Sequence, residues 1–87
     1  MCETDKEKGR IGVAAIIIED MESVREINEA LHSFSDLIVG RLGIPYRERG
    51  VSVISVILDG DPDKISALTG KLGKIKSVTV KAVMSKK

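Results

Sequence analysis

This chain of 87 residues has one cysteine, Cys2, and one histidine, His32. A lone cysteine closes no disulfide within the chain, and the natural reading is a reducing compartment, the cytoplasm. A zinc or nickel centre takes three or four ligands from His, Cys and carboxylates. One His and one Cys cannot build an N/S-ligated site in a single copy, so no metal or other cofactor is expected, a site shared between subunits being the alternative. Tryptophan is absent, and Phe34 and Tyr46 are the only aromatic residues. Stacking platforms for single-stranded nucleic acid need several rings. The longest apolar run, residues 13–18, is six residues long, where a membrane span takes about 20. The opening Met-Cys-Glu-Thr-Asp-Lys-Glu-Lys carries acids where a secretory signal carries a basic and then an apolar stretch. The expectation is a cytoplasmic protein with no membrane association.

The balance that is present fits a small globular domain. Hydrophobic residues make up 43% and charged residues 31%, which excludes a disordered chain. A domain this short buries a marginal core of its own. Net charge is +1, unevenly spread: residues 1–63 hold seven Lys/Arg and all 13 Asp/Glu, and residues 64–87 hold seven lysines and no acid. A lysine-rich helix and edge strand that resist aggregation account for this. Contact with nucleic acid or an acidic partner is the sharper alternative, and the shortage of rings argues against direct nucleic-acid binding.

Residues 1–8 are charged and aperiodic and read as a flexible tail, with one domain over residues 9–85. Residues 10–19, rich in β-branched and small apolar side chains, predict a strand. Residues 20–34 predict a helix, with Val24, Ile27, Leu31 and Phe34 on one stripe. Ser23 and Glu26 fit a capping box at its start, and Asp20 is a rival N-cap. Residues 37–42 predict a second strand, residues 43–50 a loop bounded by glycines, and residues 51–58 a third strand. Asp61 followed by Pro62 marks the start of a second helix, with Ile65, Leu68 and Leu72 inward and Gly73 as its stop. Gly70 inside this helix costs about 1 kcal/mol against alanine, and close approach to a strand would explain it. Residues 77–84 predict the fourth strand.

The order strand, helix, strand, strand, helix, strand is the split βαβ arrangement, an α+β ferredoxin-like βαββαβ sandwich. Right-handed crossovers put the first and third strands in the centre of a four-stranded antiparallel sheet, with both helices on one face. In a monomer the other face should be polar. Here Ile11, Val13, Ala15 and Ile17 oppose Ala14, Ile16 and Ile18, and Val51, Val53 and Ile57 oppose Ile54, Val56 and Leu58. Both faces of both central strands are apolar. The expectation is a homo-oligomer, a dimer or tetramer, joined through the sheet face or its edges, with a hydrophobic monomer whose tails cover that face as the alternative.

The chemically unusual stretch is residues 40–50. It holds three of the five arginines and the only tyrosine. Arginine presents a planar fork suited to carboxylate or phosphate. Arg41, Arg47 and Arg49, with Tyr46 as lid or stacking surface, are the candidate binding residues for a small anionic ligand. A soluble hairpin tip or an arginine-rich contact between subunits is the alternative. The stretch matches neither the P-loop nor the dinucleotide fingerprint. Asp59, Asp61 and Asp63 alternate as calcium-loop ligands do, but Gly70 stands at the twelfth position where a Glu is needed, so helix capping accounts better for them. His32, at the end of the first helix, suits the helix dipole. No acid, base and nucleophile are set up together, so the chain reads as no enzyme.

Four stretches carry a resemblance: the strand start at residues 10–13, the helix at residues 24–32, IVGRLGIPYRERGVSVISVILDG at residues 38–60, and ALTGKLGKIKSVTVK at residues 67–81. Over about residues 10–83 the chain resembles the small regulators encoded beside the iron-only hydrogenase maturation genes of anaerobic bacteria. The resemblance implies a fold related to the ACT regulatory domains, and distantly to the metal-binding C-terminal domain of the nickel-responsive transcription regulator. It implies a small ligand- or partner-sensing regulatory module of the iron-only hydrogenase system, although the eight tail residues, 1–8, cannot supply the separate N-terminal DNA-binding domain that the nickel regulator carries. The alternative it leaves is an interaction or assembly module, bound to a protein partner of that system, with no small ligand. Two departures matter. The loop Glu19-Asp20-Met21-Glu22 lacks the glycine with which ACT domains often hold an amino acid. The His and Cys ligands of the nickel regulator are also missing.

Overall fold

The computed structural model describes residues 9–86. The expected tail over residues 1–8, with Cys2, lies outside the described residues. Four strands and two helices follow in the order β1 (Arg10–Ile18), α1 (Ser23–Ser33), β2 (Ile38–Tyr46), β3 (Val51–Gly60), α2 (Pro62–Gly73) and β4 (Val78–Met84). Single 3₁₀ turns, Ser35–Leu37 and Arg47–Arg49, precede β2 and β3. The sheet order is β2-β3-β1-β4, all pairs antiparallel. This is the ferredoxin-like βαββαβ arrangement that the element order predicts.

Strand alternation sorts the core. Ala14, Ile16 and Ile18 of β1 and Ile54, Val56 and Leu58 of β3 point to the helices and are buried. They meet Ile27, Ala30 and Leu31 of α1 and Ile65, Leu68 and Leu72 of α2. Each fully buried Ile or Leu contributes about 1.5–3 kcal/mol of apolar transfer. Phe34 packs at the margin of this core, with the Lys71 ammonium 5.9 Å from its ring centroid.

Several local expectations are corrected. The α1 capping box does not form. Ser23 is buried, and its hydroxyl donates to the Lys76 carbonyl at 2.7 Å, tying the helix start to the β4 entry. Asp20 lies before the helix and accepts from the Glu22 N–H. The loop expected over residues 43–50 shrinks to the 3₁₀ turn and Gly50, because residues 43–46 continue β2 and pair with Ser52 to Ile54 and with Val51 of β3. Proline is tolerated there because β2 is an edge strand and Pro45 needs no outer ladder partner. A β-carbon on Gly70 would meet nothing within 4 Å, so close approach to a strand does not explain that glycine. At α2 the expectation holds: the Asp61 carboxylate accepts from the Asp63 N–H at 2.8 Å, with Pro62 in the first turn.

Candidate functional site: the β2–β3 hairpin and the open sheet face

Pairing register decides which residues share the helix-free face. Paired residues across a sheet lie on the same side. Five cross-strand rows result. Gly40, Ile57, Val13 and Val83 form one; Leu42, Ser55, Ala15 and Lys81 the next; Ile44, Val53, Ile17 and Thr79 the third; Tyr46 and Val51 the hairpin end. Ile11 and Asp59 pair at the opposite end. Ile17 is 41% exposed and Ile57 45%, although both stand on central strands. Toward the edges exposure reaches 63% at Leu42 and 72% at Val83. The large apolar side chains of this face expose on the order of 800 Å², above the 300–600 Å² of the largest patch on a typical monomer. In the middle row the two central strands contribute small side chains, Ala15 and Ser55, between Leu42 and Lys81 on the edge strands.

The hairpin divides the four candidate residues. Tyr46 ends β2 on the open face, 46% exposed. Arg47 and Arg49 occupy the 3₁₀ turn that follows, both exposed, and Gly50 closes the turn at φ 68°. Here glycine is needed, since this left-handed backbone disfavours a side chain. Arg41 is set apart. It pairs with Val56 on the helix side of the sheet, and its guanidinium donates to the Asn28 side-chain oxygen of α1 at 2.7 Å. Alternation along β2 therefore places Arg41 and Tyr46 on opposite faces. The structure brings Tyr46, Arg47 and Arg49 to one tip, and Arg41 does not join them.

At the other end of the sheet lies a cleft of about 720 Å³. It forms where β3 ends, α2 begins and the first 3₁₀ turn enters β2, and Asp36, Asp59, Asp61 and Lys64 are its charged lining. Asp59, Asp61 and Asp63 do not gather as a calcium loop would, and Asp61 is engaged as the helix cap. Among the described residues, no three His, Cys, Asp or Glu side chains are grouped to hold a metal ion. His32 is exposed in the last turn of α1. The sequence pattern shows the alternation of these strands. It carries no signal for the cleft, whose walls are distant in sequence.

A ferredoxin-like α+β domain with one face of its sheet left open is the class that fold and surface define. A family model, TM1266-like, described as "Iron-only hydrogenase system regulator, putative", matches residues 10–82. The chain belongs to this family. It is similar to a solved structure, that of an uncharacterized protein, TM1266, from Thermotoga maritima. The TM-score is 0.85 at 40% identity, over 90% of this chain and 99% of that one. No curated protein matches. Among the described residues no helix is long and apolar enough to cross a membrane.

Proposed function

We propose that the chain is a regulatory module of the iron-only hydrogenase system, acting in the cytoplasm as a homo-oligomer that senses a small anionic ligand. The observation that carries this reading is the open sheet face. Its apolar area of roughly 800 Å² is what one partner contributes to a standard-size protein interface. Burying it against another copy adds to a core that is marginal in a domain of this size. The hairpin tip supplies the chemistry. Arg47 and Arg49 offer planar donor forks to a carboxylate or phosphate, and Tyr46 offers a ring beside them. The family description contributes the hydrogenase setting and the regulatory role.

A native mass spectrum of gently purified protein, taken at micromolar concentration, tests the reading. The expected result is an oligomer, with a retained anionic mass that disappears in the Arg47→Ala, Arg49→Ala double variant. A monomer under these conditions overturns the oligomer. An oligomer whose mass and melting stay unchanged across a panel of anionic metabolites overturns the sensor and leaves an interaction module.

A further inference from the structure

We propose that two copies pack sheet face to sheet face about a two-fold axis running across the strands, so that the arginine tip of each copy docks at the aspartate-lined cleft of the other. This rests on the homo-oligomer reading above and adds the orientation and the polar contacts.

The occupant of the face is a second copy for two reasons. The area matches: on the order of 800 Å² per copy is the contribution each partner makes to a standard interface. The chain outside the described residues does not match: residues 1–8 carry five charged side chains and only Met1 and Cys2 as apolar ones.

A two-fold that stacks two sheets lies between them, and its position follows from side-chain size. The row containing Ala15 and Ser55 is the middle of the face, and its small side chains let the sheets approach. Lys81, on the same row, is exposed on edge strand β4; the axis sets it opposite its counterpart in the second copy, and its long stem lets both ammonium groups turn outward to water.

The direction of the axis follows from charge. With the axis across the strands, the hairpin end of one copy lies over the Asp59 end of the other. The turn bearing Arg47 and Arg49 extends just beyond the last paired row. By symmetry it meets the partner just beyond its Asp59 row, at the cleft lined by Asp36, Asp59 and Asp61 with Lys64 as the only cation. A two-fold along the strands instead brings the two Asp59 ends together and leaves the arginine tip facing Glu19 at the end of β1. The tip, Arg47 and Arg49 with Glu48 between them, meets three carboxylates in the first orientation and only Glu19 in the second, so charge favours the first for an interface between identical copies.

The arrangement has a regulatory consequence. An anion that takes the Arg47 and Arg49 forks competes with the partner's carboxylates. Binding of the anion and docking of the tip then oppose each other, by equal factors.

Cross-linking tests the orientation. The background is Cys2→Ser, and the variants are Ile11→Cys and Val51→Cys, which leave every charge in place. Sedimentation first establishes that each variant is folded and dimeric. With the axis across the strands, Ile11 of one copy lies about one sheet spacing, roughly 10 Å, from Val51 of the partner. The same residue in the two copies is then separated by eight residues of strand, about 27 Å. A short bismaleimide should therefore join the two variants when mixed and re-equilibrated, and should join neither variant to itself. Self-linking of each variant, without mixed linking, puts the axis along the strands and overturns the proposal while leaving the oligomer intact. A monomer in sedimentation overturns both. As a check on the polar contacts, Arg47→Asp with Arg49→Asp should weaken the dimer at least tenfold, and Asp36→Lys with Asp59→Lys in the same chain should restore it. A dimer unchanged by the arginine reversal overturns the docking of the tip.

Discussion

Replacing Ile57 with lysine separates a side chain that serves the protomer from one that serves an assembly. Ile57 stands on central strand β3 between Val13 and Gly40, and 45% of it remains exposed. Full burial of an isoleucine is worth about 1.5–3 kcal/mol. The exposed part is thus worth about 1 kcal/mol per copy when a second sheet covers it, or about 2 kcal/mol for a symmetric dimer. At 1.4 kcal/mol per decade, Ile57→Lys should weaken association at least about 30-fold. Placing an ammonium between two apolar sheets adds to this wherever it cannot reach water. The protomer should lose no more than about 1 kcal/mol, the span of strand propensities. Sedimentation velocity across a concentration series reads the first effect. Denaturant unfolding at a concentration where both proteins are monomeric reads the second. An unchanged association constant would show that the face is not the interface. A loss of about 3 kcal/mol or more from the monomer would show that Ile57 belongs to the protomer core.

Leu68→Ala, at a position with no exposed surface on α2, should cost about 2–5 kcal/mol in urea unfolding. Asp61→Ala removes the carboxylate that accepts from the Asp63 N–H and should cost about 1 kcal/mol, whereas Asp61→Asn should recover most of it. Ser77 has φ 61° while its carbonyl accepts from the Glu19 N–H, so Ser77→Gly should be neutral or raise stability by up to about 1 kcal/mol, read as a higher midpoint. Gly50→Ala, at the left-handed end of the hairpin turn, should cost about 1 kcal/mol by the same argument. Phosphate should loosen the dimer more than chloride at equal ionic strength. Exposed ion pairs are worth about 0–1 kcal/mol each, so the excess should stay within about tenfold in the association constant and vanish in the Arg47→Ala, Arg49→Ala variant.

Where the local sequence pattern and the structure part, the cause is common. Residues 43–50 carry Gly43, Pro45 and Gly50, the composition of a loop, and only pairing with Val51 to Ile54 turns the first four into strand. The spacing of Ser23 and Glu26 suits a capping box. The Ser23 hydroxyl instead serves the carbonyl of Lys76, 53 residues away. In both places an interaction outside the local pattern decided the outcome, cross-strand pairing in the hairpin and a carbonyl remote in the chain at Ser23. The same holds for Arg41, grouped by proximity in the chain with Tyr46, Arg47 and Arg49 but turned to the helix face by the two-residue period of β2.

The sequence by itself determined the element order, the sheet topology and the two-sided apolar character of β1 and β3. These depend on periodicity, N-cap chemistry and the handedness of crossovers, all of which act over short stretches of chain. Only the tertiary structure decided which residues meet. It placed Ala15 and Ser55 in the middle of an open face, the arginine tip at one end and the aspartate-lined cleft at the other. Register between strands separated by tens of residues sets those positions, and register is fixed by burial of whole faces against the helices, a property of the assembled core rather than of any segment.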